Sequence, residues 1–245
     1  MTIIYRGPSL IDGKPIVAIA TVTDTNSKTG KMVQTYILRA DMAPTEANKT
    51  GEDYSICGNC PHRGVPSTDP NRKTAERRTC YVSFATGLSV VWKAFARGVY
   101  REVSGHAAIA AIGRGHMVLL GTYGDPSAVP SYVWESLLSE ASGHTAYSHQ
   151  ANVAGADFRS DLFMQSVDSA AQANEAWSQG RRTFSVVASV ADIVKGKEIL
   201  CPASAEAGKR TTCAACGLCG GTSVKAKSIA IPVHGVGAGH FATAA

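Results

Sequence analysis

The residues best suited to chemistry are the seven cysteines, which fall into two groups. Cys201, Cys213, Cys216 and Cys219 form the later group, the last three at C-x2-C-x2-C spacing. A C-x2-C step lets two thiolates reach one metal centre from a single tight turn, and Gly217, Gly220 and Gly221 give that turn backbone freedom. A mononuclear zinc site usually takes its ligands as two separated pairs, whereas a C-x2-C-x2-C run joined by a distant Cys-Pro is the habit of a [4Fe–4S] cluster. Here the distant partner is Cys201-Pro202, which precedes the run instead of following it. The match is one of ligand type, and a zinc ion held by four thiolates stays open as the alternative.

The earlier group is Cys57-Gly58-Asn59-Cys60-Pro61 followed by Cys80. Three thiolates leave one position of a metal centre for a substrate or cofactor, which is the arrangement that permits chemistry; a four-cysteine site is closed and is structural or electron-transferring. His62, two residues beyond Cys60, is a candidate fourth ligand. Between Cys60 and Cys80 runs HRGVPSTDPNRKTAERR, with five Arg or Lys and no apolar periodicity. It reads as an exposed loop, either a solvated charge run or a phosphate-contacting one.

The elements that must position these thiols alternate in type. Ile16–Val22 and Met32–Leu38 are β-branched runs separated by TDTNSKTGK, an amino-terminal hairpin with a long loop. A short helix with Pro44 in its first turn follows. From Cys80 onward the pattern predicts strands at CYVSF, MVLLGTYGDP, HTAYSHQ, LFMQSVDS, RTFSVVAS, EILCPAS and KSIAIPVHG. Helices are expected at LSVVWKAFARG, HAAIAAIGRG, SYVWESLLSEASG and AAQANEAWSQG. About seven strands interleaved with helices predict an α/β fold: a (β/α) barrel or partial barrel with a small N-terminal β-hairpin extension. A doubly wound open sheet is the alternative. The expected organisation is a β-rich extension over 1–50 and a barrel-like domain with both cysteine motifs over 51–245.

In such folds reactive groups sit at the carboxyl ends of the strands. That rule selects Asp125, His149, Asp168 and His234 as catalytic candidates and places Cys201 at the same mouth. Asp125 before Pro is also a turn former, and Asp168 precedes a helix that it could cap. Lys209 and Arg210, with Lys225 and Lys227, flank the later cysteines and would neutralise a thiolate-rich cluster or hold an anionic ligand.

Composition agrees with a globular protein: 44% hydrophobic and 18% charged residues over 245 positions. A formal charge of +5 permits a nucleotide or nucleic-acid partner without demanding one. No apolar run reaches the length of a membrane span, and the amino terminus lacks the basic-then-apolar layout of a secretory signal. A cytoplasmic protein is expected, in which clustered cysteines bind metal more often than they pair as disulfides.

The ordered set GPSLIDGKPIVAIAT, ICGNCPHRG, RTCYV, GTYGDP, SVDS, ILCPASAEAGKRTTCAACGLCGGT and KSIAIPVHG resembles a family of uncharacterised proteins from tailed bacteriophages and prophages, over about residues 5 to 236. The resemblance implies a phage protein acting in an infected bacterial host and brings no activity with it. A looser similarity is to phage proteins with a barrel like that of radical S-adenosylmethionine enzymes. It implies that Cys57, Cys60 and Cys80 hold a cluster open to that cofactor, and that Cys201, Cys213, Cys216 and Cys219 hold an accessory one. The early spacing, C-x2-C-x19-C, departs from the C-x3-C-x2-C of those enzymes, and no clear glycine-rich stretch follows. The expected function is an iron–sulfur enzyme doing redox or radical chemistry on a small molecule, nucleotide or nucleic acid. A non-catalytic protein stapled by zinc or a cluster, contacting nucleic acid or a host protein, is the alternative.

Overall fold

Apolar runs with strand periodicity gather into one sheet. The computed structural model describes residues 1–23, 27–85, 87–235 and 237–243. Residues 24–26, inside the long loop expected between the first two sequence-predicted strands, lie outside them. The strands in chain order are β1 (Thr2–Pro8), β2 (Pro15–Thr23), β3 (Met32–Arg39), β4 (Arg101–Glu102), β5 (Met117–Tyr123), β6 (Gly143–Ser148), β7 (Met164–Val167), β8 (Thr183–Val187), β9 (Glu198–Leu200) and β10 (Ser228–Pro232). The helices are α1 (Pro44–Thr50), α2 (Tyr54–Cys57), α3 (Gly87–Ala96), α4 (His106–Gly113), α5 (Ser131–Leu138), α6 (Ala170–Ser178) and α7 (Cys213–Cys216). The fold is mixed α/β.

The sheet order is β4-β1-β2-β3-β5-β6-β7-β8-β10-β9. β1, β2 and β3 run antiparallel, and every other neighbouring pair is parallel. Among the described residues no ladder joins β4 to β9, so the row of strands is open. The amino-terminal hairpin is built into this sheet, because β3 pairs in parallel with β5. Its sequence explains why: Ile16, Val17, Ala18, Ile19 and Ala20 are apolar on both faces and all buried, the pattern of a strand covered on two sides.

Two expectations are corrected. The run Cys80–Phe84, read as a strand, joins no ladder. Arg78 occupies its carbonyls instead, donating from Nη1 to Cys80 O at 3.0 Å and from Nη2 to Val82 O at 2.6 Å. The first strand, β1, is absent from the sequence reading because its apolar content is only Ile3, Ile4 and Tyr5 before Gly7-Pro8.

The helices are short and amphipathic. Leu88, Val91 and Phe95 of α3 and Val133, Trp134 and Leu137 of α5 face the main core. The Trp134 indole donates to Pro126 O at 2.8 Å, which satisfies its polar atom inside that core. α4 packs against α5 with no room to spare at Gly113, where a Cβ would overlap the Leu137 carbonyl oxygen. A second, smaller core gathers Met164, Ala203, Ile229 and Ile231 around Cys201 and Cys219. No helix among the described residues is long and apolar enough to cross a membrane. Gly113→Ala is expected to cost about 1–3 kcal/mol, the usual penalty of overpacking, measurable as a lower urea midpoint at unchanged slope.

Candidate metal centre

The early cysteines are placed by a tight turn docked onto strand ends. α2 ends at Cys57, and Gly58 takes φ +49°, a value that favours glycine. A side chain there would also collide with the Gln150 amide. The chain then closes back, with Cys60 N donating to Cys57 O at 3.1 Å. Gln150, fully buried just past β6, holds the turn on both sides: its Nε2 donates to Cys57 O at 2.8 Å, and its Oε1 accepts from Asn59 N at 3.1 Å. The same Nε2 donates to Asp125 Oδ2 at 3.0 Å. Asp125, just past β5, also accepts from His149 N at 2.8 Å and from Ser127 N at 3.0 Å. Burial raises its pKa, and these hydrogen bonds oppose that shift. Asp125 therefore joins the ends of β5 and β6, with its carboxylate committed to hydrogen bonds that position its neighbours.

Cys80 arrives from the far end of the basic loop. Cys80 N and Thr79 N both donate to His62 O, at 2.9 and 3.1 Å. The loop's base is fixed by buried Asp53, which accepts from Arg63 Nη2 at 2.5 Å and from Asn48 Nδ2 at 2.7 Å. The three thiols are neighbours: Cys57 is pushed well up by burial first, then by Asp53, Cys60 and Cys80. Burial also raises Cys80, against the pull of Arg78. Bound metal would reverse this cost, since it stabilises the thiolate directly.

Beside these thiols lies a His-Asp-His set. His62 Nε2 meets Asp168 Oδ1 at 2.9 Å, and its Nδ1 meets Thr79 Oγ1 at 2.7 Å. A carboxylate only accepts, so Nε2 carries the proton and Nδ1 takes the threonine hydroxyl in the neutral ring. His149 Nε2 faces Asp168 Oδ2 at 3.3 Å, a charge contact without the alignment of a hydrogen bond. Asp168 does not cap α6; Ser169 does, accepting from Gln172 N. The carboxylate is left for the two imidazoles. Burial lowers the His149 pKa, but the Cys60 thiol and Asp168 together outweigh it and hold the ring well above its ordinary 6.5. Burial likewise raises Asp168, and the contact with His149 and the hydrogen bond from His62 overcome it and pull the carboxyl far below the usual range.

The later cysteines are gathered by a second device. Thr212 caps α7 by accepting from Ala215 N, and Gly217 ends it in the left-handed region. The β2–β3 connection supplies two further acceptors to the start of α7: Lys28 O to Cys213 N at 3.1 Å and Thr29 O to Ala214 N at 2.8 Å. Cys201 N joins the β10 ladder through Ala230 O at 2.8 Å, and Cys219 O accepts from Ala146 N at 3.0 Å. Burial pushes Cys213 up to about 11 and Cys219 up to about 12, the other thiols of the group adding to both. Lys28 pulls Cys201 and Cys213 the other way. Its Nζ also donates to His234 Nε2 at 2.8 Å, which leaves the proton of that ring on Nδ1, donating to Pro232 O at 3.0 Å.

Tyr81 lies between the two groups. Desolvation of its hydroxyl comes first, then the Cys80 and Cys213 thiols, in raising its pKa, although about half of the residue's surface is open. Its ring stacks on His234 at 5.8 Å. The early group is docked at the ends of β5 and β6, and the later one is gathered between Cys201 at the end of β9, the Lys28–Thr29 connection and Ala146 of β6.

His149 and Asp168 come together beside the early thiols, His234 beside the late ones, and Asp125 brackets the former. Lys209 and Arg210 are exposed, and the cation whose charge reaches Cys201 and Cys213 is Lys28. Lys28 and Tyr81 carry no local signal in the sequence, whereas Gln150 closes the run HTAYSHQ together with His149 at a strand end.

The donor sets suit metal. The ligand atoms of His62, His149 and Asp168 lie within 4.8 Å of one another, and no three cysteine thiols among the described residues are gathered so tightly. Thiolates are donors that zinc and iron–sulfur clusters both take, and two histidines with one carboxylate are a donor set for a single divalent ion or a shared proton. Comparison of the chain with family models, with curated proteins and with solved structures returned no match.

Gln150→Ala leaves the Asn59 amide and the Cys57 carbonyl without their partner and is expected to cost about 1–3 kcal/mol in chemical denaturation. The His149–Asp168 pair gives a signed pH dependence. The raised histidine contributes stability in full below 6.5 and loses it as pH rises through its folded value. The depressed carboxyl contributes above 3.8 and loses it as pH falls through its folded value. Asp168→Asn should lower the His149 pKa in an NMR titration of metal-free protein and flatten stability against pH above 6.5; an unmoved His149 titration contradicts the pairing.

Proposed function

We propose that this is an iron–sulfur enzyme with two thiolate-held centres, doing redox chemistry on a small substrate at the three-cysteine centre. The observation that supports this most directly is the meeting of Cys57, Cys60 and Cys80 with His149 and Asp168, because no fourth cysteine completes the early set. Cys201, Cys213, Cys216 and Cys219 would hold the second, closed cluster. When bound, such clusters supply one-electron transfer.

The chain's own residues have distinct parts in this reading. The Cys60 thiol and Asp168 both favour the protonated His149 ring, so His149 would hold a proton beside the open centre. His62 holds Asp168 in place from the other oxygen. Gln150 and Asp125 fix the height of the Cys57–Cys60 turn above the strand ends. Lys28 offsets the charge of the second set, and Tyr81 fills the space between the sets.

The sheet is, in this reading, the partial barrel expected from strand and helix alternation, with the carboxyl ends as its mouth. A radical variant would place S-adenosylmethionine at the open position. The phage resemblance and the charge of +5 favour a nucleotide or nucleic-acid substrate. A second reading, a zinc-stapled binding protein, is favoured by the burial of Cys201 and Cys219 in their own small core, where a closed site would serve stability alone.

Anaerobic purification with iron, sulfide and zinc analysis separates the two. About eight irons and matching sulfide per chain are expected, with broad absorption near ~400 nm, and about four in either Cys57→Ser or Cys216→Ser. Colourless protein carrying one or two zinc ions rejects the redox assignment.

A further inference from the structure

Beyond the metal centre, the basic loop borders an open cleft of about 510 Å³. Arg72, Lys73, Arg77 and Arg78 line it together with His240 and Phe84, and no aspartate or glutamate does. The volume falls in the range of small-ligand sites. Some arginines elsewhere pair with carboxylates, Arg6 with Glu102, Arg39 with Asp41 and Glu52, Arg114 with Glu140, Arg159 with Glu135 and Asp161; the cations of the cleft are instead gathered in its lining. Among the described residues no carboxylate pairs with Arg72, Lys73 or Arg77. The loop's own acids are turned to its backbone and hydroxyls, Asp69 accepting from Asn71 N at 2.8 Å and Glu76 from Ser67 Oγ at 2.8 Å.

One detail sets this cluster apart from chance. Arg78 is held rigid by its bonds to Cys80 O and Val82 O and lies over the Phe84 ring at 4.3 Å, so one guanidinium is fixed before any ligand arrives. Arg77 sits at φ +51°, as Lys209 does at +48°, a conformation that costs an arginine and would cost glycine nothing.

We infer that this cleft binds the phosphate groups of a nucleotide-sized molecule, with Arg72, Lys73 and Arg77 closing on the oxygens and Arg78 forming the fixed wall. The site needs no metal, so its test stands whether or not a cluster is confirmed. Isothermal titration of the full chain as purified would use pyrophosphate, ADP and a single-stranded oligonucleotide, at two salt concentrations. ADP and pyrophosphate should bind, more weakly at high salt. The double variant Arg72→Gln/Arg77→Gln should weaken both by about tenfold or more. Lys14→Gln/Arg101→Gln, which removes the same charge from residues outside the cleft, should stay within about twofold of the parent. Arg77→Gly should weaken binding while its melting temperature holds or rises, which misfolding cannot mimic. Absence of ADP and pyrophosphate binding, equal losses in both double variants, or binding of the oligonucleotide alone would each overturn the assignment.

Discussion

The arrangement depends on one buried hydrogen-bonded bracket, Gln150 with Asp125. Three chain segments with no sequence proximity meet there: the Cys57–Cys60 turn, the end of β5 and the end of β6. Each polar atom in it is inside the protein, so each is costly unless paired, and the pairs leave little freedom of position. A tight cysteine turn alone would be a mobile loop. Docked on the bracket, it holds two thiols against a rigid sheet edge, and the histidine that follows β6 is brought to Cys60 by the same backbone.

The two cysteine groups then differ. The early thiols stand beside a carboxylate shared by two imidazoles, a set that can hold charge and move protons. Of the later ones, Cys201 and Cys219 are sunk in an apolar core, and Lys28 reaches Cys201 and Cys213. Burial raises the pKa of Cys57 and Cys80 as it does of Cys201, Cys213 and Cys219, so neither set is comfortable as bare thiolate.

Much of this was legible in the sequence, for physical reasons. The helices at Leu88–Phe95 and Val133–Leu137 announce themselves because one face must be apolar to reach the core. The strands ending in Asp125 and His234 do so because parallel strands buried on both faces are apolar runs that stop at polar residues, while those before His149 and Asp168 show as shorter, mixed runs. What stayed hidden depends on distance along the chain. Cys80–Phe84 has the composition of a strand, and only the claim of Arg78 on its carbonyls keeps it out of the sheet. Lys28 lies in a polar hairpin connection with nothing local to distinguish it from Lys31. Lys209 and Arg210 are near the cysteines in sequence, yet the chain turns them to solvent, while a residue from the second hairpin strand's entry takes their expected place.

That long reach also bears on how the molecule is made. The amides of Cys213 and Ala214 are held by carbonyls of Lys28 and Thr29, about three-quarters of the chain away. The contact order of this site is therefore high, and pairings of that kind close late and slowly. Until they close, the α7 turn has no docking surface and its three cysteines stay open to oxidation or to stray metal. The early turn waits on Gln150, 93 residues on, a much shorter closure. The two cysteine groups are therefore assembled through closures of different length, the longer one at the later group.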